Sequence, residues 1–82
     1  MTAFEEIVKA CLEDERLLDI VRNVARMSEG EREVFRRKVL RYFADKTSEV
    51  DVQAYRFFKF VLEDGNASKI LEEVERLGRD QG

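Results

Sequence analysis

Apolar residues recur along this chain at helical spacing in five blocks, most of them opened by a residue suited to capping a helix. Phe4, Ile7, Val8, Cys11 and Leu12 follow the i, i+3, i+4, i+7, i+8 pattern of a single helix face. Thr2 and Glu5 precede that stripe at capping-box spacing, in which each side chain can satisfy the other's free backbone N–H. The stripe stops at Glu13-Asp14-Glu15 and resumes in a new phase at Leu17, Ile20, Val21, Val24 and Met27. One straight helix cannot hold both stripes on one side. The spacing therefore predicts a break near Asp14, with Asp14 as the N-cap of a second helix.

Ser28 and Glu31 form another capping box, and the helix they open carries Phe35, Val39, Tyr42 and Phe43 on one face, with Val34 and Leu40 at the flanks. Ser48 and Asp51 are a third, weaker capping pair. They precede a fourth helix whose inner face is Ala54, Tyr55, Phe58, Val61 and Leu62. Asp64-Gly65-Asn66 reads as a stop, because glycine suits the left-handed position just past a helix end. Asn66 is then the expected cap of a fifth helix bearing Ile70, Leu71, Val74 and Leu77, with Gly78 closing it and 79–82 frayed. No stretch alternates apolar and polar residues over a strand's length. The predicted fold is all-α: a single domain, 1–82, built as a compact bundle or orthogonal array of five short helices at about 3–13, 15–27, 29–45, 49–64 and 67–77.

Composition sharpens this picture. The chain has 82 residues, 44% apolar and 40% charged, a balance that fits a globular domain and neither a disordered nor a membrane-spanning one. A core of this size rarely supplies more than about 3–5 kcal/mol, so small domains commonly add a disulfide, a metal or a second subunit. With one cysteine and no histidine, an intrachain disulfide and the common zinc constellations are ruled out. Tight packing, oligomerisation or both remain. The acidic start, Met1-Thr2-Ala3-Phe4-Glu5-Glu6, is unlike a secretory signal, which with the lone cysteine leads to the expectation of a cytoplasmic protein with no membrane partner. Abundant Arg and Glu with few amides is a weak thermophile signature.

Catalytic chemistry finds little footing. Without histidine the usual general base near neutral pH is missing, and Ser–His and Cys–His pairs are impossible. Cys11 lies within the first apolar stripe and reads as a small buried hydrophobe. An enzyme would have to work with carboxylates, alone or with an acquired divalent metal. The densest acidic runs, Glu13-Asp14-Glu15 and Glu72-Glu73-Val74-Glu75, read instead as solvated helix faces. Helical spacing pairs Glu33 with Arg37 and Glu72 with Arg76. The four glycines make no phosphate-cradling loop. The sequence implies no catalytic residue, no cofactor and no metal.

Two regions stand out. Residues 32–46 carry a local charge of +4 between flanks of −4 and −3, and helical phase sets Arg37, Lys38 and Arg41 opposite the Phe35/Val39/Tyr42 face. Phosphate contact is one use of such a patch; neutralisation by neighbouring acidic helices is the other. The second region is Tyr55 to Leu62. Phe60 falls about 200° from Phe58 and Phe57 about 100° from it, too wide a spread for one inner face. Three readings account for Phe60: a central fourth helix covered by helix one or five, a homo-oligomer interface, or a docking site for a different protein. Arg56, Phe57, Lys59 and Phe60 are the candidate interface, with aromatic anchors and a charged rim. The expected function is a non-catalytic interaction module that self-associates as a dimer or binds a protein partner, acting as adaptor, accessory subunit or regulator. The alternative is nucleic-acid association through Arg37, Lys38 and Arg41.

Overall fold

The computed structural model describes residues 1–81, and for 79–81 the backbone alone. All its regular elements are helices: α1 Ala3–Glu13, α2 Glu15–Arg26, α3 Glu29–Phe43, α4 Glu49–Leu62 and α5 Asn66–Gln81. Each of the first four begins where the sequence places a cap. The Thr2 hydroxyl accepts from the Glu5 N–H at 3.1 Å, and the Asp14 carboxylate accepts from the Arg16 N–H at 2.9 Å. Ser28 and Glu31 form the full reciprocal box, with Glu31 N–H donating to Ser28 Oγ at 3.2 Å and Ser28 N–H to Glu31 Oε1 at 3.1 Å. The other two pairs cap in one direction only. Glu5 and Asp51 use their carboxylates to accept from the capping hydroxyls, Thr2 and Ser48, and leave the cap N–H groups aside.

Helix ends depart from expectation more than helix starts. Met27 is extended with ψ 143 as it leads into the Ser28 cap, so α2 stops at Arg26 instead of residue 27. α3 ends at Phe43, two residues early, in a turn closed by Lys46 N–H on the Phe43 carbonyl at 3.1 Å. α4 ends at Leu62 instead of residue 64, because Glu63 turns extended with its N–H on the Phe60 carbonyl. The link to α5 is a four-residue turn, Glu63 to Asn66, closed by Asn66 N–H on the Glu63 carbonyl at 3.1 Å. Gly65 takes its third position with φ +79, the conformation a type II turn requires there. The Gly65 carbonyl also accepts the first α5 bond, from Lys69 N–H. Asn66 therefore sits inside α5 and does not cap it. Its side-chain amide reaches back to the Phe60 carbonyl at 2.9 Å and satisfies the end of α4. Gly78 does not close α5, which runs on to Gln81. The fraying expected of 79–82 falls on the end whose side chains lie outside the described residues.

The break at Asp14 folds α1 back along α2, and α5 lies against both. α4 packs on α5 and α2, while α3 is held chiefly by α4. The buried core is aliphatic: Val8 and Cys11 from α1, Leu18, Val21 and Val24 from α2, Val61 and Leu62 from α4, and Ala67 and Ile70 from α5. α3 adds Val39 alone. Two arginines of α3 secure it instead. Arg36 donates to the Leu62 carbonyl at 2.7 Å, and Arg32 pairs with Asp64 at 3.2 Å, so both grip the point where α4 hands over to α5. The outcome is elongated, about 41 × 30 × 20 Å, with a radius of gyration of 13.0 Å. A compact chain of this length would have about 12 Å.

Two pairs of substitutions test this account by chemical denaturation. An added Cβ at Gly65 or Gly78 would meet no atom within 4 Å, so the backbone alone decides the outcome. Gly65→Ala is expected to lose about 1–2 kcal/mol, the cost of a left-handed conformation. Gly78→Ala is expected to gain about 0.5–1 kcal/mol, as alanine does over glycine inside a helix. Arg36→Met, which keeps the aliphatic stem, should cost about 1–2 kcal/mol through the lost charged hydrogen bond to a helix-end carbonyl. Arg37→Met should lie within about 0.5 kcal/mol of wild type, because Arg37 makes only an exposed pair with Glu33.

Candidate interaction surface

Outside the aliphatic core, α3 and α4 are joined by aromatic rings. Phe58 meets Phe35 edge-on at 5.9 Å between centroids, Phe43 at 6.1 Å and Phe57 at 5.6 Å. Phe43 also meets Tyr55 at 5.8 Å and Tyr42 at 4.9 Å. Spacing explains the set. Phe35, Val39, Tyr42 and Phe43 fall on one side of α3, and Tyr55 and Phe58 on one side of α4, so two short antiparallel helices bring them together. Offset and edge-to-face pairs of this kind are each worth about 0.5–1.5 kcal/mol beyond the area they bury. All six rings except Tyr42 are half-buried, and Tyr42 is 62% exposed.

The seam is open on one side. A groove of about 530 Å³ runs between the helices, walled by Phe35, Lys38, Val39, Tyr42 and Phe43 of α3 and by Asp51, Ala54 and Phe58 of α4. A second depression, lined by Met27, Val34, Phe35 and Lys38 among others, continues it towards the start of α3. Two apolar side chains left in solvent line these depressions, Tyr42 the groove and Val34 its continuation. Of the seven large ones left exposed among the described residues, Val34, Leu40 and Tyr42 are on α3 and Val50 and Val52 on α4. Val50 is 76% exposed and stands one turn before Ala54 on the same stripe of α4. That stripe is covered further on, at Val61, and bare at its start.

The aromatic residues singled out in the sequence occupy a different part of α4. Phe57 and Phe60 are half-buried and pack against the core, while Arg56 and Lys59 are exposed. Phe60 is accommodated because α4 is flanked by α2 and α5 as well as α3. Tyr42, assigned to the inner face, is instead a rim residue, with the Lys46 ammonium 4.7 Å from its ring centroid. The groove could not be read from periodicity, which shows which face of a helix is apolar but not how far its neighbours extend along it.

The basic residues of α3 divide three ways. Arg32 and Arg36 serve the fold. Arg37 and Arg41 are exposed one turn apart on the outer side, and Arg37 pairs with Glu33 at 3.8 Å. Lys38 does not join them opposite the apolar face; it lines the groove beside Phe35 and Tyr42. Arg37, Lys38 and Arg41 thus do not form one outward patch. The pairing expected of Glu72 with Arg76 has a counterpart one residue along, where Glu73 pairs with Arg76. Among the described residues no cluster of three or more acidic or sulfur ligands could hold a metal ion, and no helix is long and apolar enough to cross a membrane.

Comparison with known proteins adds no relative: no family model, no curated protein and no solved structure matches the chain.

Cys11, the one thiol, is 1% exposed within the core. Burial, aided by the nearby Asp14 carboxylate, pushes its pKa from 9.0 up to about 11. A thiol so placed is poorly nucleophilic at neutral pH. The unfolded chain releases this proton near 9 and the native state holds it to about 11, so between those values the folded form binds more protons. The contribution to stability is complete below pH 9 and lost as pH rises through 11. Denaturation profiles of wild type and Cys11→Ala are expected to run parallel below pH 9. Above it wild type should fall more steeply. Parallel profiles across the whole range would show that the thiol is not held protonated.

Proposed function

We propose that this protein is a small non-catalytic interaction module, an adaptor, accessory subunit or regulator, that self-associates and uses the open side of the α3–α4 pair to do so. One observation carries this reading: a groove walled by half-buried aromatic rings is bordered by the exposed Tyr42 and runs on to the exposed Val34, with Val50 bare on the Ala54 stripe of α4. Contiguous apolar surface of this kind marks interaction sites on soluble domains, and aromatic residues are enriched at the centres of interfaces. The groove's charged groups are one lysine and one aspartate, on opposite walls beside the Tyr42 ring, which suits recognition better than acid–base chemistry. Lack of a disulfide or histidine-based metal site in a chain of 82 residues favours added stability from a second subunit.

The test is sedimentation equilibrium from low micromolar to millimolar protein. The expected result is a mass that rises towards twice 9.7 kDa, and a Tyr42→Ser variant that keeps its helical spectrum but shifts the rise to higher concentration. A constant monomer mass across that range, with Tyr42 resonances unmoved by dilution, would refute self-association.

A further inference from the structure

The two walls of the groove carry opposite charges that do not meet. Lys38 projects from the α3 wall and Asp51 from the α4 wall, and among the described residues neither has an ion-pair partner within its own chain. Asp51 accepts only from the Ser48 hydroxyl, at 2.6 Å. A cation on one wall and an anion on the other make a surface complementary to itself. In a two-fold contact residue i meets j while j meets i, so one such arrangement satisfies both charges twice.

Surface area is sufficient for a second copy. The chain exposes 6047 Å², where a compact monomer of its mass exposes about 5,100 Å². The excess of about 900 Å² is close to the roughly 800 Å² per partner that a stable interface covers.

We propose that the α3–α4 groove is occupied by a second copy of this chain in a two-fold dimer, with Tyr42 of each copy against the other's aromatic seam and Lys38 of each facing Asp51 of the other. This rests on the self-association reading and adds to it the face, the symmetry and the charge pair. A two-fold axis running along the hairpins brings the α3 wall of one copy over the α4 wall of the other. This arrangement covers Val50, at the start of its stripe, which its own chain leaves bare.

The prediction is a charge-exchange pattern. Lys38→Glu places like charges opposite each other at both symmetry-related contacts, and Asp51→Lys does the same with the opposite sign. Each variant alone should dissociate at least ~10-fold more readily than wild type, since every substitution acts twice in the dimer. An equimolar mixture of the two should re-form a dimer, because both contacts are then attractive. Sedimentation equilibrium of each variant and of the mixture reads this directly, and circular dichroism checks that each remains folded. Lys38→Gln and Asp51→Asn, which remove charge without reversing it, should weaken the dimer less and show no recovery on mixing. A wild-type dimer indifferent to both reversals would overturn this interface and leave self-association through another face. A wild-type monomer throughout would overturn both and turn the groove over to a different protein.

Discussion

The packing of α5 on α2 is the contact on which the rest of the structure depends. It is the most extensive helix–helix contact in the molecule, and Val21 and Ile70, one from each helix, are closed to solvent. α1 returns along this pair after the break at Asp14, and α4 docks on it from the other end of the chain. The buried core contains nothing larger than leucine and isoleucine. Small aliphatic side chains allow close approach of backbones, and burial of each Val, Leu or Ile stabilises by about 1.5–3 kcal/mol. The aromatic residues, the largest apolar groups available, are left to the margin.

That division gives the domain two layers of different character. The α1, α2, α4 and α5 layer is held by a buried, largely aliphatic core. α3 is attached to it by rings that remain half in water and by two arginines clasping the α4–α5 turn. Aromatic pairs tolerate such a position because ring faces and edges attract through their own charge distribution as well as through exclusion of water. The turn at Gly65 matters more than its exposure suggests. It positions the Leu62 carbonyl and the Asp64 carboxylate, and through them the arginines that place α3. The groove exists because α3 and α4 run past the region that the other helices cover.

What could be read from the sequence follows the range of the interactions involved. Caps are local, so the starts at Thr2, Asp14, Ser28 and Ser48 were legible from four or five residues each. Helix ends depend on what the following residues are pulled into, and three of them fell short of the periodic pattern. Asn66 looked like a cap by composition but serves the helix before it, because the type II turn at Gly65 brings its amide back to Phe60. Gly78 has the composition of a stop without the left-handed conformation that makes one. Phase along α4 showed correctly that one face could not hold Phe57, Phe58 and Phe60, and α4 is flanked on more than one side. Which ring would be left bare was a question of tertiary coverage. The sequence singled out Phe60 as the ring in need of a cover, from its own helices or from a partner, and put Tyr42 on the inner face; the structure leaves Tyr42 the more exposed.

The same distinction bears on the charge of α3. A local balance of +4 invites thoughts of phosphate, yet the charge is consumed piecemeal: Arg32 and Arg36 anchor the helix, Arg37 answers Glu33, and Lys46 lies over a tyrosine ring. Affinity for a polyanion requires cations converging on one surface, and on the outer side of α3 that leaves Arg37 and Arg41, one turn apart. Lys38 has left the basic side altogether for a wall of the groove, where it faces across apolar surface towards an acidic one. A lone ammonium among rings is poorly suited to holding a phosphate chain. Opposite an aspartate, it is well suited to selecting the orientation of a partner. In the proposed dimer, aromatic burial would provide affinity and the two charges would decide which pairing of helices is accepted, because any other register would leave one of them desolvated without its counterpart.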